Sequence, residues 1–528
     1  MPWVTAIILL PLFGAFTMLA VPPGGVVQAR VHAFLTAGGT LALLAILVGL
    51  FDRDAGGPQF EDRHGWVSQV GLEWTVNVDG VSIWLMLLTG AMFFLAIAYA
   101  CFRTPDRARG FLGLLLLAEA GLLGLFAAGN LVLFYVFWEA MLIPFYFLIG
   151  MWGGSDRVRA TTRFVIYTMV GSLLMLVAIL ATAFIARDIT GQFTFDFEAL
   201  RGIAFSREES IWLFAGFAIA FIIKLPLWPF HGWMPAAYRA APILVTGLLA
   251  AVMSKAGVYG LIKIGVPLFP EGAEYFQYHI IVLALAGIAY GSVVAWRQPT
   301  IRMLVAYSSL AHLGFVALGI MAFDNEAGQG AVLQMINHGI VVAAAFTIVG
   351  IITERSGKEE IDEIGGLANG APWLAGVFLI VAMASLAIPG SNAFVGEFFI
   401  LTGVFRHHWW AAAIACIGIA YAAVYMLRLY QSAMNGPRKG ADGARVEMRL
   451  RDTVVLLPLI AAMGVIALWP AAIVGGTTRT VERLMAPAQI AADRPADQIR
   501  AGVAPNPPAA ALPLPGDPVE APQEVPTQ

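Results

Sequence analysis

Charged and imidazole side chains occur within long apolar stretches of this sequence. They are Glu119, Glu139, Lys224, Lys255, Lys263, His312, His338 and Glu397. A charge at the centre of a bilayer costs about 2.5–3.5 kcal/mol on insertion scales, so its presence there indicates a function or a buried partner. Proton transfer is the chemistry open to carboxylate, amine and imidazole groups. The structural alternative is a static ion pair, a polar link between helices or a hydrogen-bonded core histidine.

Polar partners recur one helical turn away from several of these groups. The pairs are Ser308 and His312, Gln334 and His338, and Lys255 and Tyr259, each four residues apart. Residues at this spacing share a helix face, so the pairs form polar stripes typical of a hydrated path. Lys263 lies near the end of its apolar stretch, and we interpret it as an interfacial anchor. No cysteine or histidine spacing typical of a metal, haem or iron–sulfur site is present.

The composition requires elements that lie in a membrane. Of 528 residues, 59% are hydrophobic and 12% are charged, whereas soluble domains have about 45–50% and 25%. This composition excludes a soluble enzyme, because there is too little polar surface to cover the apolar residues. Two cysteines exclude a disulfide scaffold, and a net charge of −3 gives no indication of nucleic-acid binding.

Apolar windows of about 20 residues, the length that crosses a bilayer, predict fourteen transmembrane helices. The windows are 3–21, 31–51, 81–102, 110–128, 131–151, 164–186, 211–230, 242–264, 279–296, 303–322, 331–353, 373–404 (interrupted), 409–427 and 453–475. Lysine and arginine are roughly three times more frequent in alternate connections, as the positive-inside rule requires. This distribution predicts that both termini lie on the outer side.

Two of these spans are broken. Pro226 and Pro229 interrupt the seventh span, and Pro389 and Gly390 interrupt the twelfth. Proline removes a backbone donor and clashes one turn back, and freed backbone groups at membrane depth need protein or a water-filled cavity around them. Breaks at corresponding positions of two halves indicate repeats. Spans 4–8 and 9–13 contain five helices each, so the second repeat is inverted relative to the first.

The sequence therefore predicts an all-α polytopic membrane protein with about fourteen helices, two inverted five-helix repeats and two discontinuous helices. The predicted segments are an N-terminal three-helix segment (1–109), a first repeat (110–264), a second repeat (265–430), a last-helix region (431–485) and a disordered Ala/Pro-rich tail (486–528). Strands are not a serious rival to helices for these spans, because the apolar runs are continuous and not alternating.

Several motifs resemble the antiporter-like membrane subunits of respiratory complex I, the proton-pumping NADH:quinone oxidoreductase, and most closely the M type. The matching segments are 137–144, 224–235, 254–260, 306–314, 334–339 and 394–398. The resemblance covers roughly residues 75–475. One position separates the types, because L- and N-type subunits carry lysine where this sequence has Glu397. Mrp-type cation/proton antiporter subunits share several of these motifs.

This resemblance implies a role for each group. Glu139 and Lys224 would form an ion pair between the fifth and seventh spans, Lys255 would be the central relay and Glu397 the terminal proton site. His312 and His338 would bridge between them. Secondary candidates are Glu119, His231, Lys263 and Tyr259.

The resemblance also implies a non-redox subunit of a translocating enzyme in a bacterial inner membrane, with periplasmic termini. NADH, FMN, iron–sulfur clusters and quinone would belong to other subunits, with no cofactor or metal on this chain. The expected partners are the other membrane subunits, especially the L and N types, and the lipid bilayer. The alternatives are an Mrp-type cation/proton antiporter subunit and a purely structural membrane subunit.

Overall fold

A computed structural model describes residues 2–67, 71–103, 105–439 and 446–494. Within these residues the chain is a bundle of long apolar helices with one two-stranded hairpin. The N-terminal part contains α1 (Trp3–Thr17), α2 (Val26–Leu50), β1 (Gln59–Val67), β2 (Leu72–Val78) and α3 (Ser82–Arg103). Helices α1 and α2 lie at the edge, since only 33% of each apolar window is buried.

The next part of the chain leads to the first broken helix. It contains α4 (Ala108–Ala127), α5 (Leu131–Ala140), α6 (Leu142–Trp152), α7 (Arg157–Thr190), α8 (Phe197–Arg201), α9 (Arg207–Lys224) and α10 (Met234–Ala240). The side chain of Asn130 caps α5 by accepting a 2.8 Å hydrogen bond from Leu133 N. Ser206 and Glu209 form a capping box that starts α9, which satisfies backbone donors that the first turn leaves free.

The following helices hold the centre of the bundle. They are α11 (Ile243–Leu248), α12 (Lys255–Gly260), α13 (Val266–Leu268), α14 (Pro270–Arg297), α15 (Ile301–Met321) and α16 (Asn325–Ser356). The π-helices Leu249–Met253 and Leu261–Gly265 join α11 to α12 and α12 to α13. For α15 and α16, 89% of the apolar window is buried. Helices that are apolar on all sides are expected at such positions.

The last part of the described chain contains the second broken helix and an additional C-terminal helix. Its elements are α17 (Pro372–Ser385), α18 (Asn392–Met434), α19 (Leu450–Leu468) and α20 (Ala471–Ala492). Helix α20 continues to Ala492, so residues 486–492 are helical where the sequence predicts the start of a disordered tail. Residues 495–528 lie outside the described part of the chain.

Among the described residues, twelve helices are long and apolar enough to cross a membrane, against the fourteen that the sequence predicts. The difference arises at two places. Helix α9 is not among the twelve, and the twelfth and thirteenth windows meet in α18, a 43-residue element with a non-helical residue at His408. The count of fourteen and the inverted repeats stay predictions.

The hairpin formed by β1 and β2 lies in the connection between the second and third predicted spans. The strands pair antiparallel, with Gln59 opposite Val78 and Gly65 opposite Glu73. Apolar and polar residues alternate through 72–78, which is the period of a half-buried strand. This alternation covers only seven residues and lies between two long apolar runs.

Lys263 is not an interfacial anchor. Its side chain is 2% exposed and forms an ion pair with Asp79, which is also 2% exposed. Asp79 Oδ1 accepts hydrogen bonds from the backbone N–H groups of Val81 (3.0 Å) and Ser82 (2.8 Å), at the start of α3. Burial raises the pKa of Asp79, but Lys263 and these hydrogen bonds together lower it to about 2. The pair joins α3 to the eighth predicted span.

The buried pair predicts a strong stability effect. Lys263→Met leaves the Asp79 carboxylate buried without its cation, which costs about 3–5 kcal/mol when one partner of such a pair is removed. We expect a clear fall in the thermal unfolding midpoint of the detergent-solubilised protein. The matched control is Lys358→Met, because Lys358 pairs with Glu363 on the surface, at 42% side-chain exposure. Equal midpoints for the two variants would contradict this role of Lys263.

Candidate functional site

Lys255 is held at the start of α12, directly after the π-helix Leu249–Met253. The carbonyl oxygen of Ala250 in this π-helix accepts hydrogen bonds from Lys255 Nζ (2.6 Å) and Ser254 Oγ (2.9 Å). Lys255 Nζ also lies 2.7 Å from His338 Nδ1 on α16. The Lys255 side chain is fully buried, so its amine depends on these two partners in place of water.

The polar contacts continue from His338 to the twelfth predicted span. The imidazole rings of His338 and His312 have centroids 5.8 Å apart. His312 Nδ1 lies 2.9 Å from Glu397 Oε1, and Gln334 Nε2 donates a 3.0 Å hydrogen bond to the same oxygen. We call Lys255, His338, His312 and Glu397 the central row. It crosses four elements, α12, α16, α15 and α18, in that order.

A small cavity lies beside the two imidazole rings. Its walls include Ser308, Ser309, His312, Gln334, His338 and Ser385, and its volume is about 20 Å³. A cavity needs about 10–15 Å³ and at least two polar partners to hold a water molecule. Within the described part of the chain, Nε2 of His312 and Nε2 of His338 have no hydrogen-bond partner. The site is therefore polar and large enough for a water molecule next to both rings.

Helices α16 and α18 are fixed against each other by two asparagines and two glycines. Asn337 Nδ2 donates to the carbonyl oxygen of Asn392 (2.7 Å), and Asn392 Nδ2 donates back to Asn337 Oδ1 (3.1 Å). A methyl group built on Gly330 would lie 2.7 Å from Ile400 N, and one built on Gly396 would lie 2.7 Å from Gln334 Oε1. Only glycine allows this close approach, which brings Glu397 to His312.

The twelfth span is interrupted as the sequence predicts. Helix α17 ends at Ser385 and α18 begins at Asn392, with Pro389 and Gly390 between them. Two residues of this connection have left-handed backbone angles, Ala387 (φ 49°) and Gly390 (φ 94°). The new helix start places Glu397 in the second turn of α18, on a buried face.

The seventh span is also interrupted as predicted, at Pro226 and Pro229. Helix α9 ends at Lys224, and a short 3-10 helix, Phe230–Trp233, leads into α10. Trp233 Nε1 donates a 2.8 Å hydrogen bond to the carbonyl oxygen of Ile223, which the break deprives of a helical partner. This contact satisfies a buried acceptor at the level of Lys224.

Lys224 and Glu139 are close in the fold but do not form a direct ion pair in this structure. Lys224 Nζ lies 4.7 Å from the ring centroid of Trp138, the residue before Glu139, in a cation–π contact. Lys224 Nζ and Glu139 Oε1 have no hydrogen-bond partner among the described residues. Lys224 is buried and Glu139 is half-buried. In this structure Lys224 therefore contacts the Trp138 ring and not the Glu139 carboxylate.

The secondary candidates lie outside the central row. The ring centroids of His231 and Tyr290 lie 4.9 Å apart. Tyr259 donates its hydroxyl to the carbonyl oxygen of Phe126 at 2.9 Å, and Lys263 pairs with Asp79. Glu119 is fully buried, and within the described residues neither of its carboxylate oxygens has a partner. None of the four contacts a member of the central row through a direct hydrogen bond.

Two residues of the site do not stand out in the sequence. Asn392 joins α18 to α16. The sequence signal for it is its position as a polar residue directly after the predicted break. The hydroxyl of Tyr425 lies 2.9 Å from Ser308 Oγ on α15. No local signal marks Tyr425, because the contact spans 117 residues of sequence. Among the described residues there is no group of three or more possible metal ligands.

Comparisons with known proteins agree on one family. The family model for "NADH:quinone oxidoreductase/Mrp antiporter, TM" matches residues 128–421. NADH-quinone oxidoreductase subunit M of Mycobacterium tuberculosis is 36% identical, over 92% of this chain and 94% of that protein. Subunit M of Rhodobacter capsulatus is 37% identical, over 81% of this chain and 85% of that protein.

Solved structures give the same result for the fold. A chain of respiratory complex I from Thermus thermophilus with bound NADH is 32% identical, with a TM-score of 0.84, over 92% of this chain and 99% of that one. A chain of the Mrp complex from Dietzia sp. is 20% identical, with a TM-score of 0.81, over 93% and 100% of the two chains. The second match shows similarity of fold alone.

The close packing of α16 on α18 gives a stability prediction. Gly330→Ala adds a methyl group 2.7 Å from the backbone nitrogen of Ile400, and overpacking of this kind costs about 1–3 kcal/mol. We expect a lower thermal unfolding midpoint in detergent. The matched control is Gly464→Ala in α19, where nothing lies within 4 Å of the added methyl, so the midpoint stays equal or rises slightly. If Gly330→Ala were as stable as Gly464→Ala, this close packing would not be required.

Proposed function

The chain belongs to the NADH-quinone oxidoreductase subunit M family, and on that basis we propose that it conducts protons along the central row. It is a proton-translocating membrane subunit of the complex I type. Proton conduction along these residues is supported by the series of polar contacts from Lys255 Nζ to Glu397 Oε1. Groups of this kind at the centre of an apolar bundle are typical of proton pathways.

Each step uses a group that both accepts and donates a proton. Lys255 Nζ and His338 Nδ1 are 2.7 Å apart, within the distance for direct proton transfer. An imidazole that gains a proton at one ring nitrogen releases one from the other. A water molecule in the adjacent cavity links the two imidazoles, and His312 exchanges its proton with Glu397 across 2.9 Å. The Gln334 amide donates a hydrogen bond to the same carboxylate oxygen and holds it in place beside His312.

The seventh span contains a side chain, Lys224, that can occupy two positions. Lys224 either stays over the Trp138 ring or moves to the neighbouring Glu139 carboxylate. An ammonium next to a carboxylate keeps its proton, whereas one left in an apolar site tends to release it. Movement of the Lys224 side chain between these two positions therefore changes how readily Lys224 releases a proton towards Lys255, the first residue of the central row. A conformational signal acting on the broken helix needs only to bias this equilibrium.

The energy for such a bias comes from elsewhere in the complex. We assign NADH, FMN, iron–sulfur clusters and quinone to other subunits and only the translocation step to this chain. The other membrane subunits, in particular the L and N types, are its expected neighbours. The Lys and Arg distribution supports an arrangement with both termini on the periplasmic side of a bacterial inner membrane.

The second candidate is an Mrp-type cation/proton antiporter subunit. The similarity of fold to the Mrp chain from Dietzia sp. favours it, whereas the higher identity to subunit M proteins and to the complex I chain favours the first proposal. The two functions are distinguished in vesicles that contain the complex. NADH-driven proton uptake without a requirement for sodium or potassium supports the complex I function, and cation exchange without NADH supports the antiporter.

The central row predicts the effect of removing its amine. Lys255→Met deletes the donor to His338, so NADH-driven proton uptake in vesicles falls by about tenfold or more, while the complex still assembles. His338→Leu has a similar effect. Because the two residues act in one step, the double variant loses no more than the worse single variant. Lys358→Met, at the surface, is the control for loss of a charge.

The result of the double variant separates the proposal from a structural role. Independent, additive losses for Lys255→Met and His338→Leu would show that the two residues do not form one relay. A parallel loss of assembly and proton uptake in both variants would support the structural alternative. Assembly is measured from the subunit content of the purified complex.

The two-state role of Lys224 gives a separate prediction. Glu139→Gln removes the carboxylate that competes with the Trp138 ring, so Lys224 has one position and coupling is lost. We expect an assembled complex with strongly reduced proton uptake and NADH-driven turnover. Glu360→Gln, an exposed glutamate on a connecting loop, is the control. Wild-type proton uptake in an assembled Glu139→Gln complex would end this account of the seventh span.

A further inference from the structure

A cavity at one end of α7 is lined by arginines and is separate from the central row. It lies between the first turns of α7, the turn before it and α10, and its volume is about 390 Å³. Its walls include Ser155, Asp156, Arg159, Arg163, Pro235 and Arg239. The Lys and Arg distribution predicts that this end faces the cytoplasm.

Three arginines dominate the charge of this cavity. Arg159 and Arg163 are one turn apart on α7, so their side chains share a face, and Arg239 faces the cavity from α10. The three are exposed, and none of their side chains has an ion pair or a hydrogen bond within the described ranges. Asp156 contributes one opposing charge, which leaves the cavity positively charged.

Other arginines near the same face are neutralised by acidic side chains. Arg302 pairs with Glu359 at 2.6 Å, and Arg355 pairs with the buried Asp452. The walls of the cavity are also fixed, because Gly154 N donates a 2.8 Å hydrogen bond to the carbonyl oxygen of Ala240. A fixed, unneutralised group of guanidinium ions suits a phosphate, which arginine binds through paired hydrogen bonds.

The surface next to the cavity is apolar and follows the same helix face. From Arg163 it continues through Ile166, Val170, Leu173 and Val177, which are 56%, 53%, 53% and 65% exposed. These residues recur every three or four positions, so they form one stripe along α7. The stripe extends about 21 Å from Arg163 towards the membrane centre. An acyl chain attached to a phosphate in the cavity would lie along it.

From this arrangement we propose that the cavity binds the phosphodiester headgroup of an anionic phospholipid of the cytoplasmic leaflet. Basic pockets between helices on this side of a membrane recognise such headgroups. Arg159, Arg163 and Arg239 hold the phosphate, and the apolar stripe of α7 takes the acyl chains. Because α10 follows the break after α9, the bound lipid contacts both α7 and the segment that leads to Lys224.

The test compares two triple variants of the complete complex, purified and stripped of lipid. The cavity variant is Arg159→Gln/Arg163→Gln/Arg239→Gln. The control is Arg107→Gln/Arg157→Gln/Arg297→Gln, which removes the same charge from exposed residues outside the cavity walls. Binding of micellar phosphatidylglycerol is measured, with phosphatidylcholine as the zwitterionic comparison. We expect about a hundredfold weaker binding of phosphatidylglycerol in the cavity variant alone, with Arg163→Gln intermediate.

Three results would overturn the proposal. Unchanged phosphatidylglycerol binding in the cavity variant would show that the arginines do not hold a headgroup. Displacement of phosphatidylglycerol by inorganic phosphate at low concentration would identify a soluble-anion site instead of a lipid site. Loss of neighbouring subunits from the cavity variant, with lipid binding unchanged in the remaining protein, would show that this face of α7 is a subunit interface.

Discussion

The contact between Lys255 Nζ and His338 Nδ1 depends on the exclusion of water from the centre of the bundle. An amine at this depth is costly to bury, and here two directed partners, the Ala250 carbonyl and the His338 ring, take the place of solvent. The π-helix before Lys255 provides the first partner, and the packing of α16 provides the second. The same lack of solvent makes each contact sensitive to the protonation state of its neighbour, because charges interact strongly in a region of low polarity.

The remainder of the site depends on close packing of α15, α16 and α18 around Lys255 and His338. Glycines at 330 and 396 let α16 and α18 approach closely, and the reciprocal bonds of Asn337 and Asn392 set their register. The break before α18 releases backbone groups that need buried partners, and the Asn337 amide lies at this helix start, where it donates to the carbonyl oxygen of Asn392. Rigid elements therefore carry the histidines and Glu397, whereas the side chains able to change partner, Lys224 and Glu139, lie at the other broken span.

The sequence predicts the types of groups in the site better than their pairing. Ionisable residues inside apolar runs identify the central row, and prolines identify the breaks, since both signals are local. The contacts themselves join residues far apart, such as Lys255 and His338 (83 residues) or Asp79 and Lys263 (184 residues). Helix packing decides these pairings, and no local pattern contains that information. The partner of Lys263, Asp79, lies in the loop before α3, far from it in the sequence.

Proton transfer along the central row requires a water molecule that joins its two imidazoles. An experimental density map of the assembled complex, at a resolution that shows ordered water, tests it most directly. The account predicts a water molecule in the cavity bounded by Ser309, His312 and His338, within hydrogen-bond distance of a nitrogen of each ring. A cavity that is empty or closed by an apolar side chain, with the two rings separated by dry protein, would contradict it.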